Sequence, residues 1–346
     1  GDAMAFRISI TADFYDECGE PKYSDFGLSV FDGHDSIDVA AFSQHKVEIG
    51  AEQLADAHAV LVLTPKITAE SLRLASKLLV VSRFGVGFDS VDVASCTQND
   101  VLVTIAKGAV DRPVAEATIA WMLALNHKVF QKDKLVRNGH WDARSNLMGT
   151  ELRDKILGVV GLGGIGSHLV ALIRGFGMKQ PIAFDPFASA EVFDSLGVKQ
   201  CSLDELLEMA DFVSLHCPLT EETRGLIGPS QLNLMKPTAY LLNLARGGVV
   251  NEDALFDALS TGQIAGAALD CFVDEPVTTP HRFGDLENVI LAPHSIAWTD
   301  ELFRDIGRMS CNSIVDVLCG NLPHGVVNPE VLEKDSFKAK WRRVIG

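Results

Sequence analysis

Three residues whose side chains bind anions or move protons each follow a largely apolar run in the second half of the sequence. Arg246 follows the run at 240–245, Glu275 the run at 268–274, and His294 the run at 289–293. A guanidinium holds a carboxylate through two parallel hydrogen bonds, and an imidazole beside a carboxylate transfers protons near neutral pH. Jointly they predict a site that binds an organic acid and moves a proton. Singly, each has a simpler interpretation, as a surface ion pair for the arginine or as a loop residue for the other two.

A second pattern has the spacing of a phosphate-binding loop. An apolar run at 156–160 leads directly into Gly161-Leu162-Gly163-Gly164-Ile165-Gly166, and a helical stretch follows. In such a loop Gly161 permits a tight turn, Gly163 lets a pyrophosphate approach the backbone, and Gly166 allows close helix packing. The free N–H groups and positive dipole end of the helix then face the anion. The pattern predicts a dinucleotide site.

The acidic residue after the next apolar run indicates which dinucleotide is bound. Asp185 stands 19 positions after Gly166 and follows the run at 181–184. A carboxylate there accepts hydrogen bonds from the adenosine ribose and repels a 2′-phosphate, which predicts NAD rather than NADP. The alternative is a simple strand-to-helix turn in which Asp185 is an ordinary turn acid before Pro186.

Composition excludes several classes of function. The chain has 346 residues, 47% of them hydrophobic, so two globular domains are expected rather than one. Its 46 acidic and 30 basic residues leave a net charge of −16, which disfavours binding to nucleic acid and to anionic membranes. No apolar run approaches the roughly 20 residues that a membrane helix requires. A small-molecule function is therefore favoured.

Cysteine usage and the start of the chain predict a cytoplasmic location. The seven cysteines are odd in number and form no CxxC pair, which is typical of a reduced chain. No histidine or cysteine cluster has metal-ligand spacing, so no metal site is predicted. Gly1-Asp2-Ala3 shows no signal-peptide pattern and is expected to be a tag remnant ahead of the initiator Met4.

The elements that position these residues alternate between strand and helix along the chain. This alternation predicts parallel sheets covered by helices, an α/β fold. In the first third we expect strands at 6–10, 59–63, 78–82 and 101–105, and helices at 51–57 and 69–75. In the second part six strands are expected, at 156–160, 181–184, 212–215, 240–244, 265–269 and 289–291. A crossing helix is expected to begin after Pro113, and a second long helix to span 300–318 and end at Gly320.

Together these patterns resemble the D-isomer-specific 2-hydroxyacid dehydrogenase family, which includes phosphoglycerate, glycerate, hydroxypyruvate and D-lactate dehydrogenases. The resemblance runs from about Leu78 to Asn328. It rests on the segments 83–89, 114–116, 161–166, 215–220 with Thr223, 243–247, 269–276 and 293–294. It implies two doubly wound parallel-sheet domains: a Rossmann NAD-binding domain at 113–295, and a discontinuous flavodoxin-like substrate-binding domain at 4–112 and 296–346.

The resemblance also implies roles for individual residues. Arg246 would bind the substrate carboxylate and polarise the keto group, His294 would be the acid/base, and Glu275 would orient it. Arg83, Gly85 and Val86 would bind the substrate together with Arg246. The residues implied to bind NAD are Gly161, Gly163, Gly164, Ile165, Gly166, Asp185, His216, Pro218, Thr223, Ala245, Arg246, Asp270 and His294. The family resemblance further implies a homodimer to which the helix from Val114 contributes.

Several alternatives stay open at this point. The same fold could serve an NADH-sensing binding protein, although a sensor has no need of the acid–base pair, or a relative of formate dehydrogenase. His216 could line the nucleotide cleft or simply cap its strand. Lys107 lies where relatives commonly have a Pro-Gly-x-Asn stretch, and could receive a distal anion of the substrate or be a solvated surface residue. The identity of the 2-hydroxy acid is therefore left open.

Overall fold

The computed structural model describes residues 5–346, so the expected initiator Met4 lies outside the described residues. The chain divides into two compact units. The first comprises the described residues up to Val110 together with Trp298–Gly346, and the second comprises Asp111–Ala297. Each unit is built on its own parallel sheet, which confirms the predicted α/β class with two doubly wound sheets.

The sheet of the first unit has five parallel strands in the order β2-β1-β3-β4-β5. This is the flavodoxin-like order, in which ligands bind at the carboxyl ends of the strands. The strands are β1 (Phe6–Ile10), β2 (Ile37–Ala41), β3 (Ala59–Val62), β4 (Val80–Arg83) and β5 (Leu102–Thr104). Its α-helices are α1 (Ala51–Leu54), α2 (Val93–Gln98), α10 (Asp300–Leu318) and α11 (Asp335–Ile345). The bounds predicted for β1 and for α10 are confirmed.

Helix α11 closes the first unit through a buried lysine. Lys340 lies 6% exposed, and its ammonium group donates to the carbonyl oxygens of Leu78, Asn99 and Asp100. These carbonyls belong to the segments just before β4 and β5. Helix α11 is therefore bonded to the first third of the chain. Burial lowers the pKa of Lys340 to about 8.

Two expectations for the first unit were wrong. The predicted helix at 69–75 is a series of turns, because the side chains of Thr68 and Ser71 hydrogen-bond each other's backbone N–H groups in competition with a helical ladder. Strand β2 was not expected. It is an edge strand without a fully buried residue, so it lacks the apolar run that marks the other strands.

The sheet of the second unit has seven parallel strands in the order β12-β11-β10-β9-β6-β7-β8. They are β6 (Leu157–Val160), β7 (Ile182–Phe184), β8 (Lys199–Gln200), β9 (Phe212–Leu215), β10 (Tyr240–Asn243), β11 (Gly266–Leu269) and β12 (Val289–Leu291). Six strands were expected. The seventh, β8, is a two-residue edge strand with exposed side chains, which leaves no apolar signal in the sequence.

Helices cover both faces of this sheet. They are α3 (Asp111–Asn126), α4 (Val129–Arg137), α5 (Gly164–Leu172), α6 (Ala190–Leu196), α7 (Leu203–Met209), α8 (Pro229–Leu234) and α9 (Glu252–Ser260). Helix α3 begins at Asp111 and not after Pro113 as expected. Proline is tolerated within the first turn because the N–H groups there have no intrahelical partner.

Candidate active site

The sequence-predicted residues of the second unit follow neighbouring strands of one parallel sheet. Because parallel strands end at the same edge, these residues lie along one carboxyl edge, in the order His294 after β12, Asp270 and Glu275 after β11, Arg246 after β10, His216 after β9, Gly161–Gly166 after β6, and Asp185 after β7. The order of the strands reverses between β9 and β6. A reversal of this kind opens the crevice in which ligands of doubly wound sheets bind.

His294 and Glu275 form a hydrogen-bonded pair. The Nδ1 atom of His294 lies 2.8 Å from Oε2 of Glu275, although the two residues are 19 positions apart. The other carboxylate oxygen, Oε1, accepts a hydrogen bond of 2.9 Å from the N–H of Phe272. With Nδ1 engaged by the carboxylate, Nε2 is the ring atom left to exchange a proton with a ligand. His294 itself has a φ of +52°, a left-handed conformation that is uncommon for residues other than glycine.

The electrostatics of this pair favour an ionised glutamate. Burial raises the pKa of the Glu275 carboxyl. Two hydrogen bonds, from His294 and from the Phe272 N–H, lower it, and so do the positive charges of His294 and Arg246. The lowering effects outweigh burial and hold this pKa below its usual value. Glu275 therefore remains an anion that stabilises a protonated imidazole. The guanidinium of Arg246 is close enough to contribute to this effect.

A buried asparagine shapes the turn that carries Arg246. Asn243, at the end of β10, is 1% exposed; its Oδ1 accepts from the Ala245 N–H at 3.1 Å, and its Nδ2 donates to the Arg246 carbonyl at 2.9 Å. The guanidinium also donates to the carbonyl of Ala245 at 2.8 Å. Sequence reasoning did not assign a role to Asn243. The signal was a polar residue inside an otherwise apolar strand.

The turns that carry Arg246 and Glu275 pack directly against each other. A Cβ atom added to Gly247 would lie 2.1 Å from the carbonyl carbon of Phe272, so glycine is required for this contact. Phe272 is also the donor to Glu275. The position of Arg246 is thereby coupled, through backbone contact, to that of the Glu275–His294 pair.

The glycine loop fits a dinucleotide pyrophosphate. Gly161 has a φ of +96° and packs against the carbonyl of His216, while a Cβ on Gly166 would lie 2.4 Å from the carbonyl oxygen of Gly161. Around Gly163, no described residue other than its chain neighbours comes within 4 Å of the Cβ position, so space for an anion is open. Gly163 is the N-cap of α5 and carries no capping side chain, which leaves the helix start to a ligand. Ile165 is half-buried in the first turn of α5.

Gly164 has a different reason to be glycine. A Cβ there would lie 2.1 Å from Oδ2 of Asp111, so the carboxylate at the start of α3 rests against the first residue of α5. Burial raises the pKa of Asp111, and the nearby charge of His168 opposes this effect. An acidic group therefore lies beside the end of the helix that attracts anions, a feature that sequence reasoning missed.

Asp185 is bonded to the same loop. Its Oδ2 accepts from the N–H of Leu162 at 2.7 Å, and its Oδ1 accepts from the N–H groups of Phe187 and Ala188 at 2.9 and 3.3 Å. The carboxylate at the end of β7 thus joins the glycine loop to the turn that follows β7.

The predicted residues after β9 form a tightly bonded loop. His216 Nε2 lies 2.7 Å from Oγ of Ser214, its Nδ1 finds no hydrogen-bond partner among residues 5–346, and burial lowers its pKa to about 4. His216 is therefore neutral near pH 7 and offers a buried nitrogen rather than a charge. Further along, the hydroxyl of Thr223 donates to the carbonyl of Pro218 at 2.6 Å.

Asp270 supports the turn that carries the histidine. It is 6% exposed, and its Oδ1 accepts from the N–H groups of Ser295 and Ile296 at 2.9 and 3.2 Å. Burial raises the pKa of Asp270, although these N–H groups and His294 oppose the effect. The carboxyl thus fixes the backbone that directly follows His294.

The remaining predicted residues belong to the first unit. Arg83 ends β4, and its guanidinium donates to the carbonyl oxygens of Val62 and Phe84. Gly85 follows with a φ of +133°, and the half-buried Val86 comes next. All of them lie at the carboxyl end of that sheet. Lys107 of the same unit is exposed.

The described residues show neither a metal-binding cluster nor a membrane helix. Within residues 5–346, no three histidine, cysteine or acidic side chains gather as metal ligands would. No helix in this range combines the length and the apolar character needed to cross a bilayer.

This chain is similar to a family model, to named relatives and to solved structures. Residues 119–295 match the family model described as D-isomer specific 2-hydroxyacid dehydrogenase, NAD binding domain. The chain is similar to the glyoxylate reductase of Korarchaeum cryptofilum, with 37% identity over 89% of this chain and 94% of that one. It is also similar to the D-3-phosphoglycerate dehydrogenase of Methanocaldococcus jannaschii, with 40% identity over 84% of this chain but 55% of that one. Among solved structures, the TT0316 protein of Thermus thermophilus is 28% identical with a TM-score of 0.81, and the match covers 93% of this chain and 100% of that one.

Proposed function

Because the chain belongs to the D-isomer-specific 2-hydroxyacid dehydrogenase family, we propose that it reduces a small 2-keto acid with NADH and, in reverse, oxidises the D-2-hydroxy acid with NAD. It is an NAD-dependent oxidoreductase of this reaction class. The observation that carries the assignment of roles is the 2.8 Å bond between His294 and Glu275, with the charge of Arg246 acting on the same carboxylate.

Arg246, His294 and Glu275 divide the chemistry between them. The guanidinium of Arg246 binds the substrate carboxylate and polarises the keto oxygen. His294, protonated and held by Glu275, gives a proton from Nε2 to that oxygen during reduction and takes it back during oxidation. NAD, when bound, supplies the carbon that carries the hydride.

The cofactor and the substrate carboxylate need further residues, which we assign by unit. In residues 113–295 the open space at Gly163 would receive the pyrophosphate, Asp185 the ribose hydroxyls and Asp270 the nicotinamide carboxamide. The other cofactor contacts we propose are Gly161, Gly164, Ile165, Gly166, His216, Pro218, Thr223, Ala245, Arg246 and His294. Residues 4–112 and 296–346 would bind the substrate, through Arg83 and the backbone of Gly85 and Val86.

The substrate we propose is a short 2-keto acid such as glyoxylate or hydroxypyruvate. Two relatives named glyoxylate reductase are 37% and 40% identical to this chain, and their name supports a substrate of this size. Lys107 is the residue to test for a distal anion. Lys107→Ala should leave the KM for glyoxylate unchanged, and a selective rise in KM for 3-phosphohydroxypyruvate would instead assign the lysine to a distal phosphate.

The reaction is tested with purified protein, NADH and a panel of 2-keto acids, followed through the absorbance of the reduced nicotinamide. Arg246→Ala should lose most of the turnover while NADH binding, measured by fluorescence, stays within about threefold. Arg153→Ala is a matched control, since Arg153 pairs with Glu151 on the exposed surface. A protein that binds NADH but is silent across the panel would favour the sensor alternative.

We further propose a homodimer formed through the second unit. None of the nine residues of α4 is buried, and apolar side chains remain exposed there and just beyond it: Val129, Phe130, Val136, Trp141 and Met148. Exposed apolar patches of this kind mark interaction surfaces. Light scattering should give twice the chain mass of 37.4 kDa, and Phe130→Glu combined with Trp141→Glu should reduce it to that mass. A monomeric wild type would refute the proposal.

A cytoplasmic location is also proposed. Its support is that all seven cysteines are free thiols in the described part of the chain, as expected in a reducing compartment. Fractionation of the source cells with an antibody against the protein tests it.

A further inference from the structure

We propose that Glu252, the first residue of α9, is a positioning residue that holds the turn at 272–275 and thereby orients Glu275 toward His294. The inference rests on the proposed function, in which Glu275 orients the proton-transfer histidine. Within residues 5–346 the carboxylate of Glu252 bonds the N–H of Val273 and lies near His281, and it bonds neither His294 nor Glu275. It acts through the backbone of Phe272 and Val273.

The turn is held by two carboxylates. The N–H of Phe272 donates to Oε1 of Glu275 at 2.9 Å, and the next N–H, that of Val273, donates to Oε2 of Glu252 at 2.8 Å. Two consecutive N–H groups thus donate to carboxylates from different elements, one in the same loop and one at the start of α9. A shift of the Val273 amide would carry the Phe272 amide, and with it the carboxylate of Glu275.

Glu252 also anchors the far end of the same loop. Its Oε1 lies 3.9 Å from Nε2 of His281, and the His281 ring stacks on Phe283 at 5.1 Å and leans on Phe272 at 4.9 Å. Residues 273–280 between these anchors are all exposed, and Glu275 is among them. One carboxylate therefore spans the base of an exposed loop that carries a catalytic group.

The position of Glu252 in the first turn of α9 stabilises its negative charge. Asn251 is the N-cap and accepts from the Ala254 N–H, so Glu252 is not needed for capping and the helix dipole stabilises its negative charge. Its side chain is 18% exposed, whereas that of Asp253, the next residue in the same turn, is 86% exposed. Asp253 pairs with Arg282 instead and serves as a matched control.

The test compares Glu252→Ala, Glu252→Gln and Asp253→Ala in the full chain. Glu252→Ala should lower kcat for 2-keto acid reduction about tenfold or more and leave the affinity for NADH, measured by fluorescence, within about twofold, because 1 Å of misplacement at a catalytic group already costs on the order of a hundredfold. The alkaline limb of the pH profile should move to lower pH, since a displaced Glu275 stabilises the protonated acid less. Glu252→Gln keeps an oxygen that accepts from Val273 and should restore kcat to within about threefold.

Hydrogen exchange of the peptide at 272–281 gives a reading that needs no turnover. Exchange should be faster in Glu252→Ala and like the wild type in Glu252→Gln and in Asp253→Ala. If Glu252→Ala behaves like Asp253→Ala in exchange or in kcat, or if its kcat falls with an unmoved pH profile, the inference is wrong. A wild type that is inactive on every 2-keto acid would count against the proposed function. If hydrogen exchange still changes as expected, the positioning of the turn by Glu252 is supported all the same.

Discussion

Gly247→Ala is the substitution whose effect follows most directly from the geometry. The new Cβ would lie 2.1 Å from the carbonyl carbon of Phe272, against an ordinary contact distance of 3.4 Å or more, and both sides of this contact are backbone. The turns that carry Arg246 and Glu275 must then separate by about 1.3 Å. No flexible side chain is available to absorb that distance.

The expected cost is mainly catalytic. A misplacement of about 1 Å lowers rates on the order of a hundredfold, equal to about 2.7 kcal/mol in the activation free energy. Overpacking of this kind also lowers the free energy of unfolding by about 1–3 kcal/mol. Cofactor affinity should fall less than turnover, since the atoms nearest the new Cβ belong to Phe272 and Val273 and not to the glycine loop after β6.

The assay is steady-state reduction of the best 2-keto acid, with NADH binding followed by fluorescence and unfolding followed in urea. Gly175→Ala is the control, because no described residue outside its own helical turn comes within 4 Å of its Cβ position. We expect kcat/KM of Gly247→Ala to fall about a hundredfold and that of Gly175→Ala to stay within about twofold. A Gly247→Ala protein with full activity would show that the contact between the two turns is not needed for catalysis.

Three further predictions concern cofactor binding and stability. Asp111→Asn should tighten NADH binding about five- to tenfold, as expected for the loss of a like charge at the start of α5, and equal or weaker binding in a fluorescence titration would contradict this; Glu116→Gln, exposed on the same helix, is the control. Asp185→Ser should reduce the preference for NADH over NADPH by about tenfold or more, since a charged hydrogen bond contributes about 1.5–3 kcal/mol, and an unchanged ratio of affinities would refute the role of Asp185. The pKa of Lys340 is lowered to about 8 from an ordinary value of 10.5, so the cost of burying its charge is fully present below pH 8 and is relieved as the pH rises toward 10.5. The free energy of unfolding of the wild type, relative to Lys340→Met, should therefore increase between pH 8 and pH 10 in urea titrations, and a difference that does not vary with pH would oppose this.

Sequence reasoning located the buried strands because their signal is local. The bounds of β1, β9, β12 and α10 were predicted as they stand, since each is a compact apolar run or a clear amphipathic stretch. Strand β2 was missed because its pairing depends on β1 and on little that its own residues contribute. The turns at 69–75 were mistaken for a helix because the pairing of Thr68 with Ser71 depends on side-chain geometry.

The site could be predicted as far as strand ends determine it. Residues that follow parallel strands share one edge, so the fold class places Arg246, Glu275 and His294 along the same edge, whereas the bond between Glu275 and His294 could not be derived from their spacing. The contacts of Asp111 with Gly164 and of Glu252 with Val273 could not be foreseen. Each joins segments more than 20 positions apart through one side chain, and neither residue stands at the end of an apolar run.

The first unit is built from two separate segments of the chain, and this has a consequence for biosynthesis. The second unit is continuous, so its sheet and both of its cores are complete as soon as residue 297 has left the ribosome. The core of the first unit contains side chains from α10 and α11 as well as from β1 and β4, and stays open until these two helices have also been made. For that interval the nascent chain carries an apolar N-terminal segment whose core is still incomplete, and exposed apolar surface of this kind is what chaperones protect.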